Sequence, residues 1–386
     1  MRGLRQPDKS AAPAKAGVRE LFAGVMSGTS LDGVDAVVVD FAPASGAACE
    51  TLGAAHVAFP TMLRDELLAL QTPGANELAR AGSAANMLAE LYADALARAL
   101  AAARIDKARV LAAGVHGQTL RHRPERGWTL QLNNPARVAE RAGVAVVADF
   151  RSRDVAAGGQ GAPLVPAFHA ALFGRGDRHR VIVNIGGIAN ITDLPPAGPV
   201  RGFDTGPGNA LLDLWCARNR GDPFDAGGGW AATGKVDTVL LDAMLAEPFF
   251  SALPPKSTHR DKFSLAWLEQ RLAAAKWNGE ADDVQATLVA LTARTIADAI
   301  RKQAPDASEV LACGGGARNA TLMKTLAREL APRRVTTTAD EGVPVEHVEA
   351  LAFAWLARET LAGRPGNLPA VTGASGPRVL GALYPR

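Results

Sequence analysis

Cysteine is scarce in this chain. Its 386 residues hold three, Cys49, Cys216 and Cys313, far apart and odd in number. That excludes a disulfide framework and a zinc site of paired cysteines, and it suits a reducing cytosol. No apolar run approaches the ~18 residues that a membrane-spanning helix needs. Two common nucleotide fingerprints are also missing. There is no G-x-x-x-x-G-K-[ST], and no G-x-G-x-x-G leading into a helix. Net charge is absent from the body of the chain. The formal net charge of +3 arises in the first 17 residues, "MRGLRQPDKSAAPAKAG", with four basic and one acidic, leaving 38 basic against 38 acidic residues. A neutral body argues against nucleic acid as a partner. The same leader lacks the apolar middle of a secretion signal, so residues 1–19 are expected to be disordered.

What remains is a chain rich in core. Apolar residues make up 48% and charged residues 21%, and the length suits two domains or one two-lobed fold. Strand-like segments at 20–26, 35–41, 109–115, 144–149, 181–185, 188–194, 309–312 and 334–337 alternate with helical ones. The helical segments are 61–71, 75–103, 134–142, 208–219, 236–246, 264–275, 283–303, 319–330 and 345–362. That order predicts an α/β architecture. "LFAGVMSGTSLDGVDAVVVDF" and "RVIVNIGGIANITDL" repeat one plan, strand, glycine turn, strand, which suggests two related lobes. The segment 150–166 is the expected first crossing between them.

Three glycine turns carry the chemistry. In 27–35, "SGTSLDGVD", Ser27, Thr29 and Ser30 are hydroxyl donors, and Gly28 and Gly33 supply bends around Leu31. Glycines let backbone N–H groups converge on an anion. Asp32 and Asp35 would repel a bare phosphate but fit beside Mg²⁺. The plainer alternative is a hairpin with an Asp-Gly turn. A second turn, "NIGGIAN", offers Asn184, Gly186 and Gly187. A third, "CGGGARN", offers Gly314, Gly315, Gly316 and Asn319 as a strand-to-helix turn. The ordered trio resembles the actin-like ATPase and sugar kinase superfamily. There, two β-hairpin turns, one per lobe, hold phosphates, and a glycine-rich strand-to-helix turn holds adenosine.

A closer resemblance rests on longer stretches: "MSGTSLDGVD", "HGQT", "DFRSRDVAAGGQGAPLVP", "NIGGIANIT", "GFDTGPGN", "PKSTHRDKF", "CGGGARN" and "TGASGPRVLGALYP". Together they make the chain similar to anhydro-N-acetylmuramic acid kinases, bacterial enzymes of cell-wall recycling. The resemblance implies a two-lobed actin-like ATPase (ribonuclease H-like) fold, each lobe a mixed sheet flanked by helices, with the site in the interlobe cleft. Residues 20–155 with 364–386 would form the N-terminal lobe, bearing the first phosphate loop and sugar contacts. Residues 156–363 would form the C-terminal lobe, bearing the second phosphate turn, the catalytic aspartate and the adenosine motif. It also implies a cytoplasmic homodimer that uses ATP and Mg²⁺, with the anhydro sugar as substrate and water as co-substrate. The wider superfamily often has Asp where this chain has Met26 and Asn184, so its metal ligands do not transfer; Asp32 and Asp35 are the candidates.

Several residues have both a local reading and a family one. Gly206 and Gly208 fall in an expected irregular loop, and Asn209 is an expected N-cap for the following helix. Asp204, just before that helix, could be a turn Asp bonded to its own backbone; the resemblance makes it the catalytic base. Glu349 lies on an otherwise apolar helical face with Val345, Ala352, Phe353 and Leu356. It must therefore be paired, neutralised or facing a cavity; a catalytic role at the cleft, orienting the substrate or its loops, is the expectation. Glu346 shares part of that face. His116 and Gln118 sit at a strand end, where ligand groups collect in α/β sheets. With Asn134, Asp149 and Arg151 they are candidate sugar contacts. An arginine, Arg151 or Arg153, suits the lactyl carboxylate of the implied substrate. Lys256 could approach phosphate, the lobe interface or solvent.

Overall fold

The computed structural model describes residues 19–28, 31–258 and 262–386. The leader (through residue 18), Thr29 and Ser30 therefore lie outside the described residues. In chain order the first seven strands are β1 (Leu21–Met26), β2 (Gly33–Asp40), β3 (Glu50–Ala58), β4 (Ala113–Val115), β5 (Gln118–Arg123), β6 (Trp128–Leu132) and β7 (Val146–Ala148). The rest are β8 (Arg180–Ile185), β9 (Ile188–Leu194), β10 (Arg201–Pro207), β11 (Glu309–Cys313), β12 (Arg334–Thr337) and β13 (Ala382–Tyr384). One sheet has the order β13-β7-β4-β1-β2-β3, another has β10-β9-β8-β11-β12, and β5 pairs with β6 alone.

The two large sheets share one topology. In the first, β1, β2 and β3 form an antiparallel meander, and β4 and β7 add in parallel beside β1. In the second, β8, β9 and β10 form the meander, and β11 and β12 add in parallel beside β8. This duplicated mixed sheet, in spatial order 3-2-1-4-5, is the ribonuclease H-like plan expected from the sequence. The strand that closes the chain, β13, returns to pair antiparallel with β7.

Helices cover both outer faces and fill the space between the sheets. They are α1 (Thr61–Ala69), α2 (Glu77–Ala103), α3 (Pro135–Ala142), α4 (Ser152–Ala156), α5 (Val165–Phe173), α6 (Ala210–Arg220) and α7 (Thr238–Leu245). After them come α8 (Pro248–Ser251), α9 (Leu265–Ala274), α10 (Ala281–Gln303), α11 (Ala320–Leu330), α12 (Val348–Leu361) and α13 (Pro369–Thr372). Strand β2 shows why the sequence is apolar without interruption. Val34, Ala36 and Val38 face a core shared with α1 and α2, while Val37 and Val39 face a core shared with α5 and α12. A strand buried on both faces reads as a continuous hydrophobic run. The middle core also takes Ile182, Leu194 and Leu311 from the second sheet. Helices α5 and α12 are thus packed between the sheets.

Helix α12 sits unusually close to β1 and β4. A Cβ on Gly24 would lie 1.8 Å from the Ala350 carbonyl oxygen, and one on Gly114 would lie 1.9 Å from that of Phe353. Only glycine lets backbone meet backbone at that range. Phe353 is 2% exposed, and burying such a ring contributes about 1.5–3 kcal/mol.

Some expected elements change. Residues 202–207 are not an irregular loop but part of strand β10, with a register shift between Asp204 and Gly206. Its glycines pair edge-on with β9, where burial and ladder bonds outweigh weak strand propensity. The expected helix 345–362 starts only at Val348. Strands β3, β5, β6 and β13 and helices α4 and α5 carry no periodic signal strong enough to read. The close approach leads to a prediction. Gly114→Ala should cost about 3 kcal/mol or more of stability by overpacking. Gly82→Ala, in open space on α2, should gain about 0.5–1 kcal/mol. Urea unfolding of both variants checks this.

Candidate active site

The three turns occupy matching places. The turn after β1 and the turn after β8 leave equivalent strands of the two sheets, and the third follows β11 beside β8. In the first turn Leu31 is buried at a left-handed φ of 54°. A bulky residue rarely adopts that conformation, and such strain concentrates at functional sites. The Leu31 N–H donates to the Gly28 carbonyl (3.3 Å), Gly33 N–H to Asp32 Oδ1 (3.0 Å), and Gln118 Nε2 to the Gly28 carbonyl (3.2 Å). Ser27 departs from expectation. Its hydroxyl is buried against the Tyr92 hydroxyl at 2.8 Å, so it faces the core and only its backbone can serve a phosphate.

The second turn is clamped to the start of α6. Gly208 and Ala210 N–H groups donate to the Gly187 carbonyl (2.9 and 3.1 Å), and Asn209 N–H donates to that of Gly186 (2.8 Å). A Cβ on Gly208 would come within 2.2 Å of the Gly186 oxygen, so this clamp requires glycine. Asn209 is not a side-chain cap. It has helical backbone angles, and its Nδ2 donates to the Ile185 carbonyl (3.3 Å). In the third turn Gly314 N–H donates to the Val345 carbonyl (2.9 Å). Asn319, expected at adenosine, instead caps α11, with Oδ1 accepting from Leu322 N–H at 2.9 Å. Gly315 and Gly316 lie in the short turn before it.

Asp204 projects from β10 into a polar bracket. Its N–H donates to the Lys256 carbonyl (3.1 Å), and its Oδ2 accepts from Thr258 N–H (2.8 Å). Burial pushes its carboxyl above the ordinary range, opposed by the Thr258 N–H and the Lys256 charge. A carboxylate whose proton affinity is raised in this way can serve as a proton acceptor.

Glu349, in the first turn of α12, is the second carboxylate. Burial raises its pKa, Asn184 opposes with Nδ2 donating to Oε1 (3.4 Å), and Asp35 and Asp32 raise it further while Arg151 lowers it. Arg151 is itself pulled down to about 10 by burial, against the favourable charges of Glu349 and Asp154. Its guanidinium donates through Nε (3.1 Å) and Nη2 (2.9 Å) to His116 Nε2, and through Nη1 to the Gly161 carbonyl (2.8 Å). His116 is therefore a neutral acceptor. Burial first, then Arg151, hold its pKa well below the usual range, and its ring packs on Phe353 at 4.6 Å.

Asp32, Asp35 and Glu349 converge on one acidic face. Asp35 Oδ1 also pairs with His56 Nδ1 at 2.8 Å across β2 and β3. The charges of Asp35 and Asp32 disfavour that of Glu349. Among the described residues no three side chains of His, Cys, Asp or Glu are grouped so as to hold a metal ion.

Comparison with known proteins decides the family. The family profile described as anhydro-N-acetylmuramic acid kinase matches residues 20–386. A protein of that name from Cupriavidus metallidurans is 57% identical over 383 residues, covering 97% of this chain and 100% of the relative. The chain belongs to the anhydro-N-acetylmuramic acid kinase family. A namesake from Bordetella pertussis is 58% identical over 369 residues, covering 95% of this chain and 96% of its own. Among solved structures, a ROK family glucokinase from Streptomyces griseus in complex with glucose and AMPPNP aligns with a TM-score of 0.41. It shares 15% identity, over 88% of this chain and 99% of that one.

Within this kinase family member, not every expected residue joins the cluster. Asn134 is a helix cap: Oδ1 accepts from Arg137 N–H (3.1 Å) and Nδ2 donates to Asn86 Oδ1 (2.7 Å), leaving little for a sugar. Asp149 stands exposed at the end of β7 with φ 60°. Arg153 is exposed, whereas Arg151 is woven into the site. Glu346 is paired with Arg318 and exposed, so it leaves the cleft face expected of it. Sequence reading missed Gly24 and Gly114, small residues in apolar strands whose only signal was the missing side chain. It also missed Thr258, whose contribution is a backbone N–H.

The raised Glu349 pKa has a consequence for stability. In the window between the ordinary value and the raised one, the native state holds a proton that the unfolded chain has lost. Stability therefore falls as pH rises through it. Glu349→Gln should raise the melting temperature at pH 7 by roughly 1–3 °C in metal-free buffer. The gain should vanish near pH 4, as a melting series against pH would show.

Proposed function

We propose that this chain phosphorylates 1,6-anhydro-N-acetylmuramic acid at O6 while opening its anhydro bridge with water. ATP is the phosphoryl donor, and the products are N-acetylmuramic acid 6-phosphate and ADP, as needed in murein recycling. The observation that carries the reading is Asp204, half-buried, raised in pKa and held by the 256–258 segment. O6 of the substrate is tied in an acetal and bears no proton, so a base is needed elsewhere. Asp204 takes a proton from water, the water oxygen attacks C1, and the C1–O6 bond breaks. The electron pair released on O6 takes the γ-phosphoryl, and the proton leaves Asp204 for solvent. The phosphoryl step itself demands positioning and charge neutralisation.

Backbone N–H groups of the turns around Gly28, Gly186–Gly187 and Gly314–Gly316 support the nucleotide assignments, the first two at phosphates and the third at adenosine. Asp32 and Asp35, with Glu349 close by, would hold Mg²⁺, which when bound neutralises phosphate charge. Arg151, His116 and Gln118 are read as sugar contacts, and the contacts of Arg151 with His116 support it over exposed Arg153 as partner for the lactyl carboxylate. The lobes are read as 20–155 with 364–386, and 156–363; the pairing of β13 with β7 supports the return of the C-terminus. A cytoplasmic homodimer completes the reading. Three buried free cysteines suit a reducing compartment, and among the described residues no helix is long and apolar enough to cross a membrane.

The rival is a kinase for free N-acetylhexosamines that deprotonates a free 6-hydroxyl. Incubation with ATP and either the anhydro sugar or free N-acetylmuramic acid separates the two. Turnover of the anhydro sugar is expected, and turnover of only the free sugar would sink the proposal. Asp204→Asn should lower kcat by roughly 10²–10⁴-fold, with ATP affinity by calorimetry unchanged.

A further inference from the structure

Residues 256–258 do more than stand beside Asp204. Residues 256–258 run beside β10, with the Lys256 carbonyl taking the Asp204 N–H (3.1 Å) and the Thr258 N–H meeting Asp204 Oδ2 (2.8 Å). What holds this segment is the side chain of Lys256. Its Nζ donates to the carbonyls of Phe249 (2.9 Å) and Phe250 (3.3 Å) in α8, and it sits 4.7 Å from the centre of the Phe249 ring. Helix α8 is fixed in turn. Phe250 stacks on Phe263 at 5.6 Å and 2°, and its ring lies against Gly206, two residues from Asp204. Lys256 therefore does not reach out to phosphate or solvent. It ties α8, the segment and the carboxylate into one unit.

We infer that Lys256 is a positioning residue for Asp204: its ammonium, seated on the α8 carbonyls, fixes the backbone bracket on the carboxylate. The inference rests on Asp204 acting as the base. Among the described residues beside α8, Glu247 is paired with Lys262 and Arg271, and Lys262 lies 5.0 Å from the Phe249 ring. Helices α8 and α13, "PFFS" and "PAVT", bring no titratable group to β10. On β9, Asn190 stands opposite Asp204, and Asp193 at the far end is held by His179 and Arg201. On α10, Lys302 acts on Lys256 rather than on Asp204. Arg294, Asp298 and Arg301 of that helix pair among themselves. Burial and Lys302 disfavour the ammonium, and Asp204 favours it. The two groups thus support each other's charge.

The test compares Lys256→Met and Lys256→Arg with the unsubstituted enzyme. With ATP and the anhydro sugar, K256M should move the acid limb of kcat/KM to higher pH by roughly one unit. On that limb, one unit is about a tenfold loss. K256R should return the limb to its original place. Loss of a merely structural anchor would lower the profile without moving it, and an unmoved limb in K256M, or a displaced one in K256R, overturns the inference. Should K256M fail to fold, K256Q gives the same readout. Carbon NMR titration of labelled aspartate, with D204N for assignment, follows the same shift without turnover. A null result there contradicts the inference even if the substrate reading has failed for its own reasons.

Discussion

The contact on which the site depends is the close approach of α12 to the first sheet. The helix backbone rests on Gly24 of β1 and Gly114 of β4, two strands whose ends lead into the first turn and into His116. From that seat α12 projects Glu349 toward Asn184 at the end of β8, a strand of the other sheet. It also places Phe353, one turn later, under the His116 ring. Because the helix shares one core with both sheets, displacing it would disturb all of these at once. Packed interiors transmit such shifts rather than absorb them.

The electrostatics follow from that geometry. Two carboxylates are kept in surroundings that disfavour their charge, and each is opposed by a cationic neighbour. Glu349 is answered by Arg151, which is steered by a neutral His116. Asp204 is answered by Lys256 and a backbone N–H. Environments that tune two acids separately are the usual means of giving them separate tasks. Asp204 is carried by β10 of the second sheet, whereas Asp35 lies on β2 of the first.

The fold was legible because duplication leaves marks in sequence. Two hairpin strands with a glycine turn, each followed later by parallel strands, predicted two related lobes, and both sheets have the same order. The three turns were legible as an ordered set rather than singly, since each alone could be a plain turn, and Asp204 was marked by the family resemblance. What escaped were effects without a local signature. Strand β10 looked like a loop because "GFDTGPG" has poor strand propensity, and only pairing with β9 makes it a strand. Ser27, Asn319 and Asn134 looked like ligand groups, but their partners lie on Tyr92, α11 and Asn86, which spacing alone does not specify. The Thr258 contact is a backbone contact, invisible in residue type.

The central claim is that water attacks C1 while O6 takes the phosphoryl group. Turnover of the anhydro sugar in heavy-oxygen water, with products read by mass before anomeric exchange, addresses it directly. The account predicts one heavy oxygen at C1 of the sugar phosphate and none in the transferred phosphate. Heavy oxygen in the phosphate, or none at C1, would contradict it.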